Sequence, residues 1–185
     1  MAHDKPKAVG LDSCILIELF DKNSTGRADV KQIFDDAEAD TLVLVISTFV
    51  HAEVAASSKK VKPWEVVELR RALSQTYFEP VEVSIPIAQL ASDLARENGL
   101  KPADAVHAAT CVHKRVSWLL TIDEKLLKTD QKILLDASDR SKTLRIVNPK
   151  SFCDQFYRPL FHKSPVISKP ATEQNLSDTE KKPGE

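Results

Sequence analysis

Short apolar runs rich in β-branched residues alternate along this chain with longer segments of helical periodicity. The clearest run, TLVLVIS at residues 41–47, is apolar at almost every position, which is typical of a parallel strand covered by helices on both faces. The segments between the runs are long enough for crossover helices. The alternation predicts an α/β sandwich whose central sheet has about five mainly parallel strands, at residues 7–12, 41–47, 77–84, 117–121 and 144–147.

Caps and breakers indicate where the helices begin and end. Ser13 follows the first strand and can cap a helix that continues to about Phe20. Pro86 and Pro102 suit the first positions of two later helices, and Asn98 with Gly99 provides a stop between them. Helices are predicted at about 13–20, 28–38, 48–56, 63–75, 86–97, 102–114 and 124–129.

The length of 185 residues fits one domain with a short appendage. Residues 1–157 contain all the predicted elements and are expected to form the domain. Residues 158–185 contain four prolines, five Lys or Arg and four acidic residues, with few large apolar residues after Phe161. Because such a segment lacks core-forming material, we expect a flexible C-terminal tail. The stretch from Leu127 to Thr143 is expected to be an excursion and not a second domain.

Composition sets limits on the class of protein. The formal net charge is −1, so the chain has no global positive field for a polyanion, and any nucleic-acid contact must be local or assisted by a metal. Three cysteines, Cys14, Cys111 and Cys153, show no paired spacing, which favours a reducing cytoplasm. The segment from Met1 to Lys7 is polar and lacks the apolar stretch of a signal peptide, and no run of about 18 apolar residues occurs, so we expect neither secretion nor membrane insertion.

Four acidic residues stand where one predicted element changes into the next. Asp12, Glu53 and Asp123 each follow a predicted strand closely, and ligands bind beyond the carboxyl ends of parallel strands. Asp104 lies in the first turn of the helix that Pro102 begins, where the helix dipole favours a negative charge. Taken singly, each acid is as often a cap, a turn residue or a solvated charge as it is a ligand. Together they predict one shared site.

Carboxylates that share a site raise each other's pKa unless a cation or a proton neutralises them. Hard oxygen ligands with no thiolate among them suit Mg²⁺ or Mn²⁺, which commonly bridge to a substrate phosphate. The sequence therefore points to metal-assisted phosphodiester hydrolysis.

Four motifs, in this order, resemble the PIN domain of metal-dependent ribonucleases: VGLDSCILIELF, FVHAEV, KPADAVHAATCV and LLTIDEKL. The resemblance covers roughly residues 7–150, and it is greatest to the toxin of VapBC toxin–antitoxin pairs. It implies a PIN-like three-layer α/β/α sandwich. The chain departs from the family pattern in a longer stretch after Asp123 and in the extra tail.

The resemblance also implies roles for individual residues. Asp12 and Asp104 are expected to be the principal ligands of Mg²⁺ or Mn²⁺, with Asp123 as a further acid at the metal. Glu53 is expected to act as a ligand or a water-orienting carboxylate. Supporting hydroxyls are expected at Ser13 and Thr121.

The activity that the resemblance implies is endonucleolytic cleavage of RNA, in a homodimer silenced by a cognate antitoxin. Two alternatives stay open: a stand-alone PIN nuclease in RNA processing, and a catalytically silent PIN-like module that binds RNA or a protein. Local RNA contacts are expected at Lys59, Lys60, Lys62 and Lys101, although these lysines are as readily explained as solubilising charges.

Other constellations are weaker. His51 and Glu53 match the H-x-E of zinc deaminases, but the chain has no P-C-x-x-C to complete that site. His107 and Cys111 are four residues apart on one predicted helix, without a second pair to complete a zinc tetrahedron. His107 is therefore expected to pack on its helix face and not to join the site. The tryptophans, Trp64 and Trp118, are expected to be packing anchors.

Overall fold

The structure, a computed structural model, describes residues 5–20, 24–56 and 63–158. Within these residues the chain forms five strands and eight helices, with at least one helix between consecutive strands. The strands are β1 (Ala8–Leu11), β2 (Val43–Ser47), β3 (Phe78–Val81), β4 (Trp118–Leu120) and β5 (Arg145–Val147). The helices are α1 (Ser13–Phe20), α2 (Arg27–Glu38), α3 (Val50–Ala56), α4 (Pro63–Ala72), α5 (Ile85–Asn98), α6 (Pro102–Lys114), α7 (Glu124–Leu127) and α8 (Pro149–Phe156).

The strands form one five-stranded sheet in the order β3-β2-β1-β4-β5, and every neighbouring pair is parallel. The first three strands extend the sheet in one direction from β1. The chain then crosses back, and β4 pairs with the other edge of β1. Because the strand order reverses beside β1, the crevice in which such sheets bind ligands is expected at the carboxyl ends of β1 and β4.

Helices cover both faces of the sheet. Side chains alternate along a strand, so in β2 Leu44 and Ile46 belong to one buried cluster and Val45 belongs to the other. Helices on each face complete its cluster: the first includes Ile15, Ile33, Val54, Leu69 and Phe152, and the second includes Ile87, Ala108 and Leu126. The predicted α/β/α sandwich with a parallel five-stranded sheet is confirmed.

Gly10 allows α6 to approach the central strand closely. Its neighbours Val9 and Leu11 point into the first cluster, so a side chain at position 10 points to the other face. A Cβ there meets Sγ of Cys111 well inside van der Waals contact, and it lies 3.4 Å from Leu119 Cδ1. The missing side chain therefore sets how near α6, which carries Asp104, lies to β1.

The predicted element boundaries agree with the structure to within a few residues. The helix predicted at 63–75 ends earlier, at Ala72, and Gly99 ends α5 in the left-handed conformation, with φ of 65°. Residues 128–143 form turns with one antiparallel bridge between Leu134 and Thr143, so they are the expected excursion and not a domain.

Helix α8 is not predicted by the periodicity of the sequence, although its start carries a recognisable signal. Asn148 caps the helix by accepting a hydrogen bond from the backbone N–H of Ser151 at 2.8 Å, and Pro149 occupies the first turn. Phe152 is fully buried, and its ring centroid lies 5.8 Å from that of Trp118. The contact confirms Trp118 as a packing residue and makes α8 part of the first core.

Several sequence predictions fall on residues that the structure does not describe. These are the polar break at 57–62, with its three lysines, and the tail from Pro159 onward. The tail therefore stays a prediction. None of the helices in the described part of the chain has both the length and the apolar character needed to cross a membrane.

Candidate active site

The crevice beside β1 receives acidic residues from several elements. Asp12 follows β1 directly, Glu53 lies in the first turn of α3, and Asp123 is the N-cap residue of α7 after β4. The C-terminal end of α6 leads into the start of β4, so the N-terminal end of α6, with Asp104, lies at this same edge. The topology thus brings all four predicted acids to the carboxyl edge of the sheet.

Asp12 is buried and held by three donors. Thr121 Oγ1 donates to Oδ2 of Asp12 at 2.6 Å, and Ser13 Oγ donates to Oδ1 at 3.3 Å. The thiol of Cys14 donates to Oδ2 at 3.1 Å. The two hydroxyls predicted from the sequence therefore both contact Asp12, and the carboxylate is fixed in orientation before any ligand arrives.

Asp123 is tied to Lys101 and to its own helix. The ammonium nitrogen of Lys101 lies 3.0 Å from Oδ2 of Asp123, and the backbone N–H groups of Lys125 and Leu126 donate to Oδ1 at 2.8 and 3.1 Å. Partial burial acts to raise the pKa of Asp123, but the hydrogen bonds from Lys101 and these N–H groups outweigh it and lower the pKa. Asp123 is therefore a stable anion.

Asp104 is the least compensated acid of the group. It is 7% exposed, and its Oδ2 is buried without a hydrogen-bond partner. The Lys101 ammonium lies 4.0 Å away, in ion-pair range only. Burial, and after it the negative charge of Asp12, raise the pKa of Asp104, while Lys101 opposes the shift. A cation or a proton at this oxygen removes an otherwise uncompensated buried charge.

His107 joins the site, and the expectation that it only packs is wrong. It lies one turn after Asp104 on α6 and is 1% exposed, yet its Nε2 lies 2.6 Å from Oε2 of Glu53 and 3.8 Å from Oδ1 of Asp12. Because a carboxylate oxygen is the acceptor, Nε2 is the donor of this hydrogen bond and Oε2 of Glu53 accepts it. The i, i+3 spacing from Asp104 was the sequence signal, and it could not show which way the ring turns.

Desolvation by burial acts to lower the pKa of His107. The hydrogen bond with Glu53 and the charges of Asp12, Glu53 and Asp104 outweigh it, so the pKa of His107 is raised. The raised pKa favours the protonated imidazole, whose positive charge offsets part of the negative charge of the site. Its Nδ1 is buried without a hydrogen-bond partner.

The donor set fits a hard divalent cation in its chemistry, although the side chains do not stand around a common point. The carboxylates of Asp12 and Asp123 both interact electrostatically with that of Asp104, one oxygen of which is buried without a hydrogen-bond partner. As placed, no three His, Cys, Asp or Glu side chains among the described residues surround a possible metal position. Two donated hydrogen bonds occupy Oδ2 of Asp12, and Lys101 lies between Asp104 and Asp123. Mg²⁺ or Mn²⁺ has to displace some of these contacts.

The thiol groups give no alternative centre. Burial raises the pKa of Cys111 to about 12, and the residue packs against the glycine of β1. Burial and the charge of Asp12 also raise the pKa of Cys14. Cys14 packs against the first core cluster and also contacts Asp12 through its thiol. Thiolate nucleophiles and zinc ligands are disfavoured at both positions.

The predicted RNA-contacting lysines separate into two groups. Lys59, Lys60 and Lys62 lie outside the described residues, so their role stays a prediction. Lys101 lies at the acidic site, and its pKa is raised by the hydrogen bond with Asp123 and then by the charge of Asp104. It is the cationic side chain that the described part of the chain brings to these acids.

Comparisons with known proteins agree with this fold. The chain resembles VapC20 of Mycobacterium tuberculosis, described as a toxin that cleaves the sarcin–ricin loop, with a TM-score of 0.55 and 15% identity over 64% of this chain and 92% of that one. It resembles VapBC2 of Rickettsia felis, solved with a DNA fragment of its promoter, with a TM-score of 0.54 and 18% identity over 76% of this chain and 98% of that one.

A toxin–antitoxin complex from Klebsiella pneumoniae has 33% identity to this chain, with a TM-score of 0.48 over 61% of this chain and 84% of that one. No protein of curated function matches the chain in sequence. The PIN domain family model matches residues 9–132, a range that contains Asp12, Glu53, Asp104 and Asp123. Since that range is more than half of the 185 residues, the chain belongs to the PIN domain family.

Proposed function

We propose that this protein is a Mg²⁺- or Mn²⁺-dependent endoribonuclease that hydrolyses phosphodiester bonds of RNA. The observation that carries the proposal is the buried oxygen of Asp104 that lacks a hydrogen-bond partner, at the edge of the sheet to which the topology brings all four acids. An uncompensated buried carboxylate is costly. A site that binds a cation and a phosphate explains why the chain maintains one there.

Each residue has a role in this proposal. Asp12, Asp104 and Asp123 hold the cation, which when bound neutralises charge on the phosphoryl oxygens and makes a water molecule more acidic. Thr121 and Ser13 keep Asp12 oriented through their hydrogen bonds. Glu53 is the acid that lies at the edge of this group, and it orients the attacking water or adds a ligand.

Lys101 has two positions in the proposed cycle. Its ammonium pairs with Asp123 when no divalent ion is bound. With a divalent ion at these acids, the long and 59% exposed side chain of Lys101 would be available to a phosphate of the substrate. Binding through a few such contacts makes RNA affinity depend on salt concentration.

We further propose that the protein is the toxin of a type II toxin–antitoxin pair. The support is the set of sequence motifs, whose likeness is greatest to VapC toxins, together with a fold similar to that of proteins described as toxins or toxin–antitoxin complexes. In this proposal the protein acts as a homodimer in the cytoplasm and is silenced by a cognate antitoxin. Its cysteines are all unpaired, as is usual in a reducing compartment.

Cleavage by the purified protein tests the nuclease proposal. Single-stranded RNA incubated with Mg²⁺ or Mn²⁺ is expected to yield fragments with 5′-phosphates, and EDTA is expected to stop the reaction. Asp104→Asn is expected to abolish cleavage while the fold is retained. Asp93→Asn is the matched control, because Asp93 is an exposed acid on α5 that pairs with Arg96. Undiminished cleavage by the Asp104 variant refutes the proposed site.

Expression in a bacterial host tests the toxin proposal. Growth is expected to stop when the wild-type protein is induced and to continue with Asp104→Asn. Co-expression of the product of the adjacent gene is expected to restore growth. Cleavage in vitro without any effect on growth supports a stand-alone RNA-processing nuclease instead.

One observation favours a catalytically silent module as the second candidate. Lys101 already lies between Asp104 and Asp123. In the described part of the chain, no three His, Cys, Asp or Glu side chains surround a possible metal position. A silent module binds RNA or a protein equally well with EDTA and yields no metal-dependent product. Binding measurements with and without Mn²⁺ distinguish the two candidates.

A further inference from the structure

A hydrogen bond at the site joins helices that pack on opposite faces of the sheet. Helix α3 places Val50 and Val54 in the first core cluster, and α6 places Ala105 and Ala108 in the second. Their polar side chains meet beyond the carboxyl ends of the strands, where His107 Nε2 lies 2.6 Å from Oε2 of Glu53. The bond therefore spans the sheet edge between two layers.

Packing does not explain a histidine at position 107. The ring is 1% exposed, and its Nδ1 has no hydrogen-bond partner. Burying a polar nitrogen without a partner destabilises a protein relative to an apolar side chain of similar size. Several neighbouring buried positions of α6 are apolar, including Ala108 and Cys111, and the buried hydroxyl of Thr110 is satisfied by the backbone of its own helix. What the imidazole provides and an apolar residue cannot is the donor at Nε2.

The position of that donor connects two acids of the proposed reaction. Nε2 lies 3.8 Å from Oδ1 of Asp12, while the hydroxyl of Thr121 donates to the other oxygen, Oδ2. Asp12 is held by its own hydrogen bonds, and Oε2 of Glu53, on a partly exposed side chain that reaches the site from α3, is in contact with Nε2 of His107. A glutamate side chain samples several rotamers unless a contact selects one.

We propose that His107 is a positioning residue that holds Glu53 against Asp12, and so sets the separation of these two carboxylates for binding of the cation and its water. The inference rests on the proposed function and adds to it a residue that acts through Glu53 and touches neither RNA nor the cation. Groups that orient metal-binding carboxylates commonly change metal affinity or activity by about 10- to 100-fold when they are removed.

Three substitutions at position 107 distinguish the effect of losing the hydrogen-bond donor from the effect of changing the side-chain volume. His107→Gln keeps an N–H donor near the position of Nε2. His107→Leu fills the space without a donor, and His107→Asn keeps a polar group whose donor lies too near the backbone. His113→Leu is the matched control, since His113 is exposed near the end of the same helix.

The measurements are Mn²⁺ affinity by titration calorimetry, kcat and KM for RNA cleavage, and the melting temperature without metal. His107→Leu and His107→Asn are expected to weaken Mn²⁺ binding and lower kcat by about 10- to 100-fold, with little change in KM. His107→Gln is expected to restore both to within a few-fold of the wild type. If His107 acts through Glu53, the variant Glu53→Gln with His107→Leu is no worse than Glu53→Gln alone.

The outcomes distinguish this inference from the function on which it rests. Wild-type protein that neither binds Mn²⁺ nor cleaves RNA overturns both. Wild-type protein that does both, with a His107→Leu variant equal to it in affinity and kcat, overturns the inference alone. A loss in His107→Gln as large as in His107→Leu, or effects of the Glu53 and His107 substitutions that multiply, also overturns it. A variant that does not fold is replaced by His107→Asn, for which the same outcomes apply.

Discussion

The ammonium nitrogen of Lys101 lies 3.0 Å from Oδ2 of Asp123, so the residue that precedes α6 is paired with the residue that caps α7. The same nitrogen lies 4.0 Å from Oδ2 of Asp104. One internal cation thereby serves two acids of the site. A divalent ion that binds these acids competes with Lys101.

Replacing Lys101 is therefore expected to strengthen cation binding. Lys101→Met is predicted to bind Mn²⁺ several-fold more tightly than the wild type, as measured by titration calorimetry. Stability without metal changes little, by about 0–1 kcal/mol, because this lysine is largely exposed. Lys31→Met is the control, since Lys31 forms a comparable exposed pair with Asp35 on α2. Equal or weaker Mn²⁺ binding by the Lys101 variant contradicts the competition.

Ionisation of Asp104 is expected to destabilise the metal-free protein. Burial and the charge of Asp12 raise the pKa of Asp104 above its ordinary value of 3.8, so the folded chain keeps this proton to a higher pH than the unfolded chain. The stability that the carboxyl contributes is fully present below pH 3.8 and is lost as the pH rises through the folded value.

Asp104→Asn removes this ionisation. In EDTA at neutral pH the variant is predicted to melt at a higher temperature than the wild type, and the difference is predicted to shrink as the solution is acidified. Added Mn²⁺ is expected to stabilise the wild type and not the variant, because a ligand stabilises only the state that binds it. Melting curves over a pH series test this. If the Asn variant is less stable than the wild type at neutral pH in EDTA, the ionised Asp104 does not destabilise the metal-free protein as predicted.

Gly10→Ala is expected to push α6 away from β1. The added methyl group meets Sγ of Cys111, which is buried. Inserting a methyl group into a packed interior destabilises by about 1–3 kcal/mol, and it also moves Asp104 relative to Asp12. Denaturant unfolding gives the stability, and Mn²⁺ titration shows the effect on the site. The double substitution with Cys111→Ala is expected to recover part of both; no recovery argues against this contact as the cause.

Shortening the chain tests the domain boundary. A chain that ends at Arg158 retains α8 and the ion pair from Arg158 Nη2 to Asp29 Oδ1 at 2.5 Å, and its melting temperature is predicted to stay within about 2 °C of the full length. A chain that ends at Asn148 loses Phe152, whose removal from a core costs about 3–5 kcal/mol, and is predicted to be unfolded or partly folded. Similar melting temperatures for the two truncations contradict the boundary.

The local pattern of the sequence was sufficient for most of the architecture. The run at 41–47 predicts a strand buried on both faces, and Pro102 with Gly99 marks where α5 ends and α6 begins, because these residues act through their own backbone preferences. The start of α8 carries a cap at Asn148 and a proline at Pro149, although no helix is predicted there from periodicity. The sheet order β3-β2-β1-β4-β5 then follows from pairings between distant segments, which local preferences do not specify.

The sequence by itself determined which chemical groups reach the carboxyl edge of the sheet: the four acids, Ser13 and Thr121, each by its distance from the end of a strand or the start of a helix. Only the tertiary structure decided how these groups face one another. It turned His107 toward Glu53, set Lys101 between Asp104 and Asp123, and left one oxygen of Asp104 without a partner. Side-chain direction and burial depend on packing between segments far apart in the chain, and periodicity records only which residues lie on the same face of one element.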